Sequence, residues 1–152
     1  MSARRFVLDG TNIALLHGRA KPELRYVLAL CNYLGRRRDE FVCFFDANMA
    51  YILQEHRPEQ VEVFQRIISE PPWSACIHVV PGGTEADELI LESAKADGAE
   101  VISNDRFRDR ARNHRWIWKR RHGLSANSER ITLDSLDLEI PVLAAAGDYL
   151  QS

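Results

Sequence analysis

A chain of 152 residues, 45% hydrophobic and 28% charged, is large enough for one domain with a proper core. It contains no apolar run near the roughly 20 residues of a membrane span, which argues against a membrane protein. Its net charge of −2 is no argument for nucleic acid, and its three isolated cysteines lack the spacing of a disulfide framework or a zinc site.

Arg4–Leu8 reads as a strand, entered directly from Met1 with no signal-peptide apolar region; the three cysteines read as buried small hydrophobes, and a reducing cytoplasm is the expectation that follows from them. Glu23–Arg38 reads as a helix started by Pro22 and Glu23, with Leu24, Val27, Leu28, Cys31 and Leu34 as its apolar stripe. Phe41–Phe45 is a near-continuous apolar run of the kind found in buried parallel strands. Pro58–Ser69 is a second helix, stopped by Pro71-Pro72. Cys76–Val80 is a strand ended by Pro81-Gly82-Gly83. Thr84 is the expected cap of a helix running to about Asp97 and stopped by Gly98. Glu100–Ser103 is a strand, followed by a short helix near Arg106–Ala111. Trp116–Trp118 is the expected fifth strand. Ile131–Leu150 shows no clear period, with a break expected at Pro141 and a terminal helix as the working assignment.

Strands alternating with helices argue for a three-layer α/β/α domain, residues 1–152, around a mostly parallel sheet of about five strands. Ligands of such sheets bind beyond the carboxyl ends of the strands. Asp9, Asp46 and Asp105 all fall at or just after such ends, and Asp9 meets Asp105 if the first and fourth strands are neighbours. Asp87 shares a helix face with Ile90, Leu91 and Ala94, whereas Glu88 shares one with Glu92 and Lys95. Asp87 is therefore expected to point inward and Glu88 to solvent. An inward carboxylate is costly unless it is paired or metal-bound. The structural reading, compatible with a site role, makes Thr84-x-x-Asp87 a capping box with its acid at N3. Asp105 and Asp109, four apart, are expected on one helix face, with an N-cap or ion-pair role as the competing reading. Carboxylates converging from separate segments repel unless cations sit between them, and magnesium or manganese prefers such oxygen ligands.

Charge is uneven along the chain. Between Arg106 and Arg121 there are eight Lys or Arg and one acid, Asp109, interleaved with Phe107, His114, Trp116 and Trp118. That pattern suits phosphate contact plus base stacking. A solvated basic face with tryptophans turned inward is the alternative. Arg106, Arg108 and Arg112, the loop residues Arg19 and Lys21, and His17 are the candidates for gripping a nucleic-acid backbone.

Asp9-Gly10-Thr11-Asn12 with His17-Gly18, then Glu85-Ala86-Asp87-Glu88, then Ser103-Asn104-Asp105 with Arg108-Asp109, resemble the motifs of the NYN ribonucleases. These are PIN-like domains, and the likeness is greatest to the Regnase type found beside CCCH zinc fingers. It spans roughly residues 4–121. It implies an endoribonuclease acting on single-stranded or loop RNA with Mg²⁺, or Mn²⁺ in its place. Asp9, Asp87, Asp105 and Asp109 map onto the metal centre and Asn12 onto its polar support; Thr11, Asp46, Glu88, Ser103 and Asn104 are further supporting candidates. The Regnase type carries two adjacent aspartates where this chain has Asp87-Glu88, and no CCCH finger occurs in these residues. A noncatalytic RNA-binding PIN-like domain and a PIN toxin of a toxin–antitoxin pair are the alternatives, and a homodimer stays open. A phosphatase reading lacks its Asp-x-Asp, and a P-loop reading lacks its Gly-rich Lys-Ser/Thr loop.

Overall fold

The computed structural model describes residues 4–110 and 114–151. In chain order its elements are β1 (Arg5–Asp9), α1 (Gly10–Ala14), α2 (Leu24–Arg36), β2 (Glu40–Phe45), α3 (Met49–His56), α4 (Val61–Ser69), β3 (Ile77–Val79), α5 (Ala86–Asp97), β4 (Glu100–Ile102), α6 (Ile117–Arg120), β5 (Arg121–His122), β6 (Ser125–Ala126), β7 (Arg130–Leu133) and β8 (Leu138–Pro141). Short 3₁₀ turns at Pro58–Gln60, Trp73–Ala75, Arg108–Arg110, Asp134–Leu136 and Ala146–Leu150 join them.

The central sheet has the order β3-β2-β1-β4-β5, and every pairing in it is parallel. Successive strand residues face opposite sides. Phe6 and Leu8 of β1 accordingly enter the larger core with the apolar stripe of α2, while Val7 and Val101 enter a second core with Ile90, Leu91 and Ala94 of α5 and Ile117 of α6. Helices thus flank a parallel sheet, as the alternation of periods predicts. A three-stranded antiparallel sheet, β6-β7-β8, adds Ile131, Leu133 and Ile140 to the larger core.

Several boundaries differ from expectation. Trp116–Trp118 is not a strand: Ile117 opens α6 and anchors it in the α5-side core, and Trp116 precedes it as N-cap. The fifth strand is the two-residue Arg121–His122, paired with Val101 and Ile102. A charged two-residue edge strand leaves no apolar period in the sequence. The helix expected near Arg106–Ala111 is a 3₁₀ turn over Arg108–Arg110, and Ala111 lies outside the described residues. Asp105 precedes that turn, so it does not share a helix face with Asp109. α5 starts at Ala86 with Glu85 as its N-cap and no side-chain cap bond, so the Thr84 capping box does not form. Ile131–Leu150 holds two strands and two 3₁₀ turns, the second of them, Ala146–Leu150, in place of a terminal helix. Pro141 ends β8 at the edge of its sheet, where its missing N–H is tolerated. α3, which buries Met49, Ile52 and Leu53, has no counterpart in the sequence reading.

Candidate metal centre

The site forms where β1 and β4 lie side by side. Their register, Leu8 opposite Ile102, places the next residues, Asp9 and Ser103, together at the carboxyl end of the sheet. The Ser103 hydroxyl donates to Asp9 Oδ2 at 2.8 Å and accepts from the Asp105 backbone N–H at 3.0 Å. One serine thus fixes both the buried carboxylate and the start of the loop that carries Asp105. Asp105 Oδ1 accepts from the Phe107 backbone N–H at 2.8 Å, which turns the chain so that Phe107 enters the α5-side core. Across the sheet, α5 brings Asp87. One carboxylate oxygen from each of Asp9, Asp87 and Asp105 lies within 4.8 Å of the others.

The flanking motif is held as tightly. A Cβ at Gly10 would lie 2.8 Å from Cys43 Sγ and from the Phe44 carbonyl oxygen, so only glycine lets the chain turn off β1 against β2. Thr11 Oγ1 accepts from the Asp46 backbone N–H at 2.9 Å and so ties the ends of β1 and β2 together. Asn12 Oδ1 accepts from the Asn104 backbone N–H at 2.9 Å. The Asn12 side-chain carbonyl therefore supports the Asp105 loop. The Asn104 side chain clasps Leu124, donating to its carbonyl and accepting from its N–H, both at 2.8 Å. Asn104 thereby pins the chain just before β6.

The electrostatics are unfavourable by construction. Burial is the main cause that pushes the Asp9 carboxyl from the usual range to about 7; Asp87 and Asp46 add repulsion, against the lowering effect of the Ser103 hydrogen bond. Asp87 is raised to about 6 by burial and then by Asp105, Asp46, Glu88 and Asp109. Asp46 is raised by burial. Carboxylates in this condition are stabilised by a bound cation or by a proton. An all-oxygen set of hard donors fits magnesium or manganese better than a softer metal.

Asp109 is exposed on its 3₁₀ turn and stands outside the three-carboxylate cluster, though its charge reaches Asp87. Glu88 does not face open solvent: its side chain is as exposed as that of Asp87, 41%, and it pairs with Arg110. Arg110 also pairs with Glu85, and its Nε sits 4.0 Å from Asp87 Oδ2. This arginine, which clamps the Asp109 turn onto α5, escaped the sequence reading, because one arginine among eight basic residues gives no local signal. Arg106 and Arg108 line a cavity with Trp118 and Arg121. Arg112 lies outside the described residues. His17 and Lys21 line a different cavity, where the His17 ring meets the Tyr26 hydroxyl at 3.1 Å; Arg19 is exposed in the loop between them. The structure thus divides the expected phosphate-gripping residues between two places.

Residues 2–127 match the family described as the Zc3h12a-like Ribonuclease NYN domain. The chain belongs to that family. It is a ribonuclease domain by membership. Two solved structures of the nuclear protein-only RNase P 2 of Arabidopsis thaliana share its fold at a TM-score of 0.67, with 16% and 17% identity. They match over 95% of this chain but only 32% and 31% of their own, so the chain spans about a third of their length. No curated protein matches the sequence. Among the described residues, no helix is long and apolar enough to cross a membrane.

Proposed function

We propose that this protein is a divalent-cation-dependent endoribonuclease that hydrolyses phosphodiester bonds in single-stranded or loop RNA, with Mg²⁺ as the working ion and Mn²⁺ as a substitute. The observation that carries the reading is the meeting of Asp9, Asp87 and Asp105, from three chain segments, within 4.8 Å. Asp9 is 5% exposed, and its hydrogen bonds come from neutral groups, the Ser103 hydroxyl and the Asn12 backbone. A noncatalytic RNA-binding relative has no need to retain such a mutually repelling set.

Asp9, Asp87 and Asp105 would hold the ion. Once bound, it supplies positive charge and Lewis acidity toward a phosphodiester. Ser103 orients Asp9 and, through the Asp105 backbone, keeps both carboxylates in one geometry, as residues behind metal ligands do. Asp109 stands at the exposed margin of the site, where it can orient a water or accept its proton. Arg106 and Arg108 lie on the loop that leaves Asp105 and would bind the phosphates of the substrate backbone.

The test is cleavage of an end-labelled unpaired RNA by purified protein with Mg²⁺, Mn²⁺ or chelator, beside Asp9→Asn and Asp105→Asn. Internal cuts that need the ion and vanish in both variants are expected. Ion-independent cleavage, or full activity in either folded variant, overturns the reading.

A further inference from the structure

The position of Trp118 follows from α6. Ile117 is fully buried in the α5-side core, and a helical step of about 100° turns the next side chain outward. Trp118 is left 60% exposed. Trp116 is placed differently: it is half-buried and covered by the Arg120 guanidinium, 4.6 Å from its ring centroid. Trp118 instead forms one wall of a cavity of about 450 Å³ whose other walls are Arg106, Arg108 and Arg121. Three guanidiniums around one cavity repel one another, and an indole in water forgoes the stabilisation of burial. The acids at the start of α5 do not relieve this, because they are paired with Arg110. An aromatic face ringed by cations is suited to a ligand with a flat π-system and negative charge.

The cavity adjoins the carboxylate cluster through a single residue. Arg121 Nη1 donates to the Ser103 carbonyl at 2.9 Å, and the Ser103 hydroxyl donates to Asp9 at 2.8 Å. Gly123 makes this approach possible: a Cβ there would lie 2.9 Å from Asn104 Oδ1 and 3.3 Å from Arg121 Nη1. The volume lies within the range of about 300–1,000 Å³ typical of small-ligand pockets.

We propose that this cavity is a nucleotide subsite of the substrate cleft: one unpaired base stacks on Trp118 while Arg106 and Arg108 hold the phosphates beside it. The proposal rests on the ribonuclease reading and identifies the residue that selects the substrate class. Every base has a π-face, so stacking on an indole is tolerant of sequence. A base inside a duplex is already stacked on its neighbours and must be unstacked, at a cost in free energy, before it can lie on Trp118. Trp118 therefore sets a preference for unpaired RNA next to the scissile bond, independent of the carboxylates.

The experiment measures affinity for a labelled unpaired RNA of about ten nucleotides, and for the same RNA annealed to its complement, in chelator so that neither is cut. Wild type, Trp118→Ala and Trp118→Phe are compared. Trp118→Ala is expected to weaken unpaired-RNA binding about 5- to 150-fold, the range that base–aromatic stacking supplies, with duplex binding unchanged. Trp118→Phe is expected to retain most of the affinity, and unpaired RNA to quench the part of the tryptophan emission that this variant lacks. Equal single-strand affinity in wild type and Trp118→Ala, or an equal loss for both RNAs, overturns the proposal. A protein that cleaves RNA with Mg²⁺ but ignores Trp118 loses the subsite alone. A protein that binds unpaired RNA through Trp118 but cleaves nothing with either ion loses the nuclease reading alone.

Discussion

Asp9 and Glu23 are both almost fully buried carboxylates, 5% and 4% exposed, and their surroundings drive them in opposite directions. Burial opposes the charge on each. At Glu23 that effect is outweighed by Arg25, which pairs with it at 2.8 Å, and by Gln60, which donates to it at 2.6 Å; Arg57 is 3.6 Å away. Its carboxyl is held below the usual range. Asp9 has a serine hydroxyl on one side and other carboxylates around it, and it is pushed up to about 7. A buried acid that supports the fold comes with its cations built in. Asp9 is instead buried among other carboxylates, and this difference separates the site from the scaffold.

The largest expected effect tests that separation in activity. Asp9→Asn and Asp105→Asn should each lower ion-dependent RNA cleavage by more than about 100-fold, beyond the range seen when residues behind metal ligands are changed. Both should keep the wild-type circular dichroism spectrum. Glu23→Ala, assayed at a temperature where it is folded, should retain near-normal turnover. If Glu23→Ala is as inactive as Asp9→Asn, the division between site and scaffold fails.

Stability should show the reverse order. Glu23→Ala leaves Arg25 and Arg57 without their shared partner and should cost about 3–5 kcal/mol, a fall in Tm of roughly 2–4 °C per kcal/mol for a chain of this size. Asp9→Asn removes charge repulsion while keeping an oxygen for Ser103, so its Tm in chelator should equal or exceed that of wild type at pH 8. Thermal melts of the three proteins check both statements.

The two acids also predict opposite pH dependences. The pKa of Glu23 is lowered on folding, so its contribution is present above its unfolded value, near 4.5, and is lost as pH falls through the folded value. The pKa of Asp9 is raised from 3.8 to about 7, so the native state holds the extra proton and stability falls as pH rises from about 4 to about 7. In chelator the wild type should therefore be most stable in mildly acidic solution. Added Mn²⁺ should raise Tm more at pH 8 than at pH 5, because the ion must displace the proton from Asp9. Melts at both values with and without the ion test this; equal ion effects would place the binding elsewhere.

The smallest effect concerns the phosphate contacts. Arg108→Ala should weaken binding of unpaired RNA alike for different sequences and reduce the slope of log affinity against log salt by about 0.7, the value for one phosphate contact on a single strand. An unchanged slope would mean that Arg108 faces away from the bound strand.

The alternation of apolar runs and amphipathic stretches made the parallel sheet and its flanking helices legible before any coordinates, and it located β1, β2, β3, β4, α2, α4 and α5. Three acid-bearing motifs at strand ends or a helix start made the meeting of Asp9, Asp87 and Asp105 legible too, since the carboxyl ends of parallel strands gather at one edge of the sheet. Short elements escaped. α3 shows only Met49, Ile52 and Leu53 as its buried face, and β5 is charged and two residues long. Trp116-Ile117-Trp118 alternates like a strand, yet it winds into α6 because Ile117 has a place in the α5-side core.

What the sequence determined by itself is therefore the class of fold, the family and the acid-bearing motifs, all of which rest on local period and motif. The tertiary structure decided how those groups are used. It set Asp109 apart from the three-carboxylate cluster, turned the carbonyl of Asn12 to the Asp105 loop, gave Glu88 to Arg110, and gathered Arg106, Arg108, Arg121 and Trp118 around one cavity. Each of these depends on groups far apart in the chain and on which carboxylate finds a cation, and strand register and packing settle that where spacing along the chain does not.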